Sequence, residues 1–248
     1  NNAWTLNWDA LEAAVTPQTK MFYLCNPHNP IGRVWRRDEL ERLGAFCEKH
    51  DLLLISDEIH CDLILDDTLP HIPSSMISLE LAERTITLMA PSKTYNIPGL
   101  GCTLAVISND KLRYRLERNS RGLLPEVTVL GLSGCEAAYG RSEDWRQGLL
   151  ATLRANAELI TQTLADLPGV TATGPQEATY LYWIDVTELN LSDPVAHFES
   201  HGIGLSDGNF FGAAHNGFVR LNFGCPTVTL EEGLRRFAIG VKAAQGSA

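Results

Sequence analysis

The sequence is short of basic charge. Its 20 Lys and Arg face 30 Asp and Glu, a formal net charge of −10, which argues against nucleic acid or an anionic membrane surface as a partner. No apolar run reaches membrane-spanning length. The six cysteines (Cys25, Cys47, Cys61, Cys102, Cys135, Cys225) are scattered. With no CxxC and no paired His/Cys spacing, neither a zinc site nor a disulfide framework is expected, and no metal is assigned. Several cysteines lie inside apolar stretches and read as small core residues, which fits a reducing cytoplasm. There is no internal repeat and no low-complexity segment. The opening Asn1-Asn2-Ala3-Trp4-Thr5 carries neither a signal-peptide pattern nor an initiator Met, so Asn1 need not be the natural start. What remains is an ordinary globular composition, 44% apolar and 20% charged over 248 residues, enough for one large or two small domains.

Three short apolar runs end in polar residues. Met21-Phe22-Tyr23-Leu24-Cys25 runs into Asn26-Pro27-His28-Asn29-Pro30-Ile31-Gly32. Leu52-Leu53-Leu54-Ile55-Ser56 runs into Asp57-Glu58-Ile59-His60. Thr85-Ile86-Thr87-Leu88-Met89 runs into Ala90-Pro91-Ser92-Lys93-Thr94-Tyr95-Asn96. Each reads as a buried parallel strand that delivers side chains to one sheet edge, the edge at which open α/β sheets bind ligands. A helix over 38–49, with Asp38 as N-cap and Leu40, Leu43, Phe46 and Cys47 on one face, would connect the first two. The strand ends then offer an amide (Asn29), a carboxylate (Asp57) and an amine (Lys93). Taken singly, each has a plain reading: turn punctuation, an N-cap or ion-pair partner, a solvated loop lysine. Together they suit an aromatic nitrogen heterocycle that bears an aldehyde and a phenolic oxygen. Asp57 would keep the ring nitrogen protonated, Asn29 would bond the ring oxygen, and Lys93 would condense with the aldehyde. Ser92 is a natural phosphate ligand through its hydroxyl.

Further along, a strand is expected over 102–107, a basic helical stretch over 111–121 and an apolar helix over 126–139. A long helix over 144–167 is stopped by Pro168-Gly169. Strands over 170–173 and 180–185, a helix over 194–201, a short strand over 203–206, a strand over 218–223 and a closing helix over 230–244 follow. Residues 66–80 read as a loop without chemical signal, and Gly208-Asn209-Phe210-Phe211-Gly212 as a flexible loop facing substrate. Arg220 lies in an apolar strand and so needs a carboxylate partner. Its planar fork matches the α-carboxylate of an amino acid, though a structural ion pair would satisfy it equally.

These motifs resemble pyridoxal-phosphate enzymes of the aspartate-aminotransferase fold (fold type I, class I/II). Within that group they are most similar to the PatB/MalY-type cystathionine β-lyase, or C–S lyase, branch. Asn26-Pro27-His28-Asn29-Pro30-Ile31-Gly32-Arg33-Val34-Trp35 is similar to N-P-H-N-P-T-G-R-V-W, with Ile31 in place of the usual Thr. Ser56-Asp57-Glu58-Ile59-His60 is similar to S-D-E-I-H, and Pro91-Ser92-Lys93-Thr94-Tyr95-Asn96 to P-S-K-T-F-N. Phe218-Val219-Arg220-Leu221-Asn222 with Cys225-Pro226 is similar to F-x-R-L-N-x-x-C-P. Asp57 lies 28 residues after Asn29 and 36 before Lys93, and Arg220 lies 127 after Lys93, the family's spacing.

The resemblance implies an α/β chain that is the C-terminal part of the PLP-dependent transferase fold. Residues 1–140 would form an incomplete large domain with a mostly parallel sheet. Residues 141–248 would form a small α+β domain, bridged by the helix at 144–167. It implies that roughly 130–150 residues precede this stretch. It implies pyridoxal 5'-phosphate as cofactor, bound by Asn29, Asp57, His60, Ser92 and Lys93, with Lys93 catalytic and Arg220 holding a small amino-acid substrate. Many aminotransferases carry an Arg eight residues past the lysine, whereas Gly101 stands here, as in the lyase branch. The implied reaction is β-elimination from a cysteine thioether to thiol, pyruvate and ammonia. An aminotransferase would use the same core residues, and a separated C-terminal piece would catalyse nothing. A homodimer is implied by the family alone.

Overall fold

The computed structural model describes residues 4–212 and 217–246. Two compact units are present. Thr5–His28 with Val34–Gln147 form one, and Trp4, Asn29–Arg33 and the residues from Gly148 onward form the other.

The first unit is built on a four-stranded sheet in the order β1 (Met21–Cys25), β2 (Leu53–Asp57), β3 (Thr85–Met89), β4 (Leu104–Val106). The first three strands are parallel and β4 runs antiparallel to β3. Before β1 comes α1 (Trp8–Ala14), where Asn7 Oδ1 caps the helix by accepting from Ala10 N at 3.0 Å. Between β1 and β2 lies α2 (Arg37–Lys49), and Leu40, Leu43, Phe46 and Cys47 on its inner face pack with Leu24, Leu52 and Leu54 of the sheet. That spacing is the helical period, so one stripe is apolar and the other faces water.

The start of α2 differs from expectation. The cap is Arg36, whose backbone N–H donates to Glu39 Oε2 at 2.9 Å. Asp38 instead sits in the first turn, where its charge faces the positive end of the helix dipole. The stretch expected as a loop over 66–80 contains a 3-10 turn at Ser74–Met76 and the beginning of α3 (Leu79–Glu83). A helix this short gives no periodic pattern, and its one local sign is Ser78, whose hydroxyl accepts from Leu81 N at 3.1 Å. The unit continues through α4 (Asp110–Ser120) and α5 (Val129–Arg141) into the first residues of α6 (Glu143–Ala165).

The second unit holds an antiparallel sheet in the order β5 (Thr171–Ala172), β6 (Leu181–Asp185), β8 (Phe218–Asn222), β7 (Ser206–Asp207). The rest of α6, together with α7 (Pro194–Ser200) and α8 (Thr227–Gly246), completes it. Its core contains Ile160, Ile184, Phe198, Val219, Phe223, Phe237 and Val241, all fully buried. Phe198 and Phe237 stack with centroids 4.5 Å apart and planes 8° from parallel. Buried Asn156 of α6 donates to the carbonyls of Phe223 (3.1 Å) and Cys225 (2.9 Å) and accepts from Thr227 Oγ1 (2.8 Å). It thereby satisfies the backbone where β8 turns into α8. The short strand β7 lies slightly beyond the expected 203–206, because pairing begins only where Ser206 comes opposite Arg220.

Candidate active site

In the parallel-sheet unit, two of the expected groups stand at the ends of adjacent parallel strands. Asp57 is the last residue of β2 and pairs in register with Leu88 of β3. Lys93 follows four residues after the end of β3, in a turn held by Tyr95 N donating to Pro91 O (2.9 Å) and Ile97 N to Ser92 O (3.2 Å). Pro91 and Thr94 are buried and pin the turn, so the lysine side chain projects outward and is exposed. The buried Thr94 hydroxyl has no hydrogen-bond partner among the described residues.

Burial pushes the Asp57 carboxyl up. The Ile59 N–H (3.3 Å), the positive charge of Lys93 and a hydrogen bond from Tyr23 pull it back, while the neighbouring charge of Glu58 pushes it further. A carboxylate in this position, partly removed from water and beside a cation, suits a protonated ring nitrogen as partner. Ser92 is half-buried in the lysine turn, and the His60 ring, three residues past Asp57, is 3% exposed. Tyr23 was not foreseen. Along β1, Met21, Tyr23 and Cys25 alternate with Phe22 and Leu24, and Cys25 is the register partner of Asp57. With that register, the two-residue period puts Tyr23 on the face that carries Asp57.

The other expected pair lies in the antiparallel-sheet unit. Arg220 Nη1 donates to Asn29 Oδ1 at 2.9 Å, and Nη2 donates to Ser206 Oγ at 3.1 Å. The guanidinium carbon lies 5.0 Å from the centroid of the Phe211 ring. Trp183 backs this arrangement, edge-on to Phe211 at 5.3 Å and stacked on Phe218 at 5.5 Å. Phe211 belongs to a 3-10 turn, Gly208–Phe211, capped where Asp207 Oδ1 accepts from Asn209 N at 2.9 Å. The stretch expected as a flexible loop is thus an ordered aromatic wall.

The expected carboxylate partner of Arg220 does not exist among the described residues: its partners are an amide, a hydroxyl and a ring, and buried Nε has none. Burial lowers the Arg220 pKa and the charge interaction with Tyr180 raises it. A half-buried guanidinium left with neutral partners has donors and charge to offer an anion.

The loop that carries Asn29 depends on Gly32. Its φ is +65°, and its carbonyl accepts from Glu177 N (3.0 Å) and Ala178 N (2.8 Å). Gly101 also has a left-handed φ, +56°. Where many aminotransferases carry an arginine, this backbone takes a conformation that favours glycine.

The family described as aminotransferase class I and II matches residues 1–237. The chain belongs to this family. Within it, cystathionine β-lyase PatB of Bacillus subtilis (strain 168) is 37% identical over 95% of this chain and 62% of its own length. Protein MalY of Escherichia coli (strain K12) is 34% identical over 98% of this chain and 63% of its own. The crystal structure of OvoB superposes with a TM-score of 0.93 at 45% identity, over 97% of this chain and 63% of that one. The lyase branch read from four motifs is the branch to which these curated relatives belong. This class I and II chain spans about 62% of the length of the relatives it matches. Among its described residues, no helix is long and apolar enough to cross a membrane.

Proposed function

We propose that the full-length protein is a pyridoxal-phosphate-dependent C–S β-lyase that cleaves an L-cysteine thioether to thiol, pyruvate and ammonia. The carrying observation is the placement of Lys93 and the partly buried Asp57 at the carboxyl ends of adjacent parallel strands. The donor set fits pyridoxal 5'-phosphate. In the parallel-sheet unit, Lys93 offers the amine, Asp57 a carboxylate for the ring nitrogen and Ser92 a hydroxyl for the phosphate; in the other unit, Asn29 offers an amide whose orientation is set by giving Oδ1 to Arg220. His60 belongs to the same set. A solved relative, cystalysin of Treponema denticola, contains this cofactor; it matches with a TM-score of 0.90 at 33% identity, over 98% of this chain and 63% of its own.

When bound, the cofactor supplies an aldehyde carbon and an electron-withdrawing ring that lowers the cost of negative charge at the substrate's α-carbon. Asp57 holds the proton on the ring nitrogen. Arg220 grips the substrate α-carboxylate in a bidentate fashion, an anion that its neutral surroundings leave room for. The Lys93 amine removes the Cα proton as general base, and the thiolate leaves from the β-carbon. Curated relatives named cystathionine β-lyase favour elimination over amino transfer.

A second copy of the chain is the proposed partner. Val129, Leu130 and Leu132 on α5, with Leu123 and Leu124 before it, are exposed apolar side chains of the kind a dimer would cover. Six cysteines, all free, suit a reducing cytoplasm.

The test is product analysis. The full-length protein is given pyridoxal phosphate and cystathionine without a keto acid. Sustained pyruvate release over many turnovers is expected. No pyruvate, together with keto-acid-dependent consumption of other amino acids, would make it an aminotransferase instead.

A further inference from the structure

A buried carboxylate adjoins Asp57, and a histidine from a distant loop answers it. The Glu58 side chain is 1% exposed. Its Oε1 accepts from Ser56 Oγ (2.8 Å) and from the Ser74 backbone N–H (2.9 Å), and Oε2 meets His71 Nε2 at 2.8 Å. The Ser74 hydroxyl meets Ser56 Oγ at 2.9 Å. One residue past His71, the Ile72 carbonyl accepts from Asn26 Nδ2 at 3.2 Å, and Asn26 N in turn donates to Asp57 O at 2.9 Å. Residues 71–74 are therefore stitched to the ends of β1 and β2, around Asp57. All these groups lie in the parallel-sheet unit.

Hydrogen bonds alone do not account for the choice of residues. A carboxylate withdrawn from water needs an opposite charge as well as donors. Of the three partners of Glu58, two are neutral and only His71 is basic. Position makes the charge matter, because burial first and then the negative charge of the adjoining Glu58 push the Asp57 carboxyl up. The charged and titratable groups facing Asp57 are Tyr23 from β1, Lys93 from the turn after β3 and Glu58 on its own strand end. Those facing His71 are Glu58 and Asp62.

We propose that His71, acting through Glu58, is a positioning residue for Asp57, offsetting the buried charge beside it and fixing the strand end on which Asp57 and His60 stand. This rests on the reading that Asp57 faces the ring nitrogen of pyridoxal phosphate. Loop 66–80 thus acts on Asp57 through Glu58 and Asn26.

The test uses the full-length protein with pyridoxal phosphate and four variants: His71→Ala, His71→Gln, Glu58→Gln and the double variant Glu58→Gln/His71→Ala. The readouts are the cofactor dissociation constant by equilibrium dialysis, the pH at which the bound-cofactor absorbance changes, and kcat against KM. His71→Ala is expected to raise the dissociation constant about tenfold, to move the absorbance transition to a different pH, and to lower kcat with little change in KM. His71→Gln, which keeps an N–H donor without the charge, falls between. The double variant recovers most of the loss, because the charge that needed balancing is gone. Additive effects, or a fall in melting temperature with an unmoved dissociation constant and absorbance transition, would overturn the proposal. The double variant and His71→Gln decide the matter even where His71→Ala folds poorly. A wild-type protein that retains no cofactor overturns the underlying reading and the proposal together. A wild type that retains it beside an indifferent His71→Ala overturns the proposal alone.

Discussion

Arg220 donates to the Asn29 carboxamide at 2.9 Å across 191 residues of sequence, and no carboxylate among the described residues neutralises it. On the proposed function, the guanidinium receives the α-carboxylate of the substrate. Arg220→Lys keeps the charge but loses the fork, and it is expected to raise KM for the amino-acid substrate about 10- to 100-fold, with a smaller effect on kcat. Steady-state kinetics of pyruvate release check this. An unchanged KM would leave Arg220 a structural residue tied to Asn29 and Ser206.

Lys93 is exposed, while its turn is pinned by its neighbours Pro91 and Thr94. Removing the side chain therefore removes chemistry without removing packing. Lys93→Ala is expected to lower turnover by at least about 10³-fold, with stability within about 0.5 kcal/mol of wild type. Retained activity would sink the assignment of the base.

Two exposed carboxylates add to the pH dependence of stability in acid, modestly because both face water. Glu143, hydrogen-bonded by Arg146 and Gln147, is held at about 2 instead of the usual 4.5. Glu232 is likewise held at about 2, by Arg235 and Arg236. A lowered folded-state value means that the contribution is complete above 4.5 and disappears as pH falls toward 2. Melting temperatures measured between pH 6 and pH 2.5 should decline across that window, and the decline should be shallower in Glu143→Gln. High salt should flatten it too, since both groups face water.

The antiparallel-sheet unit depends on one aromatic pair. Phe198 and Phe237 are both fully buried and stacked, so Phe198→Ala is expected to cost about 3–5 kcal/mol. By contrast, Val228→Ala, at a largely exposed position of α8, should change stability by less than about 0.5 kcal/mol. Denaturant unfolding of the two variants provides the comparison.

What the sequence revealed, and what it hid, follows from the range of each interaction. Strands β1, β2 and β3 and the inner face of α2 were legible because apolar runs and a 3.6-residue period are local patterns. Lys93 and Asp57 each have a plain reading taken singly, and they stood out because the motifs around them and their 36-residue spacing resemble the family's. The hydroxyl of Tyr23 on Asp57 needed the register between β1 and β2, which no single strand carries. The Glu58–His71 contact joins positions 13 residues apart, through a loop whose conformation no propensity dictates. Phe211 was placed in a mobile segment because glycines flank it. The structure orders that segment because Trp183 and Arg220, distant in sequence, supply the surfaces against which its ring rests.

Gly32 gives the Asn29 loop an unusual place in sequence space. A β-carbon there would collide with the Gln176 carboxamide, which cannot swing aside freely because Nε2 is engaged by the carbonyls of Ala178 and Leu181. The left-handed φ adds its own penalty to every other residue type. A saturation library at position 32 should return glycine alone among functional clones, while Gly99, with nothing within 4 Å of an added Cβ, should return many residues. The loop that presents Asn29 therefore turns on a pivot at which only glycine fits.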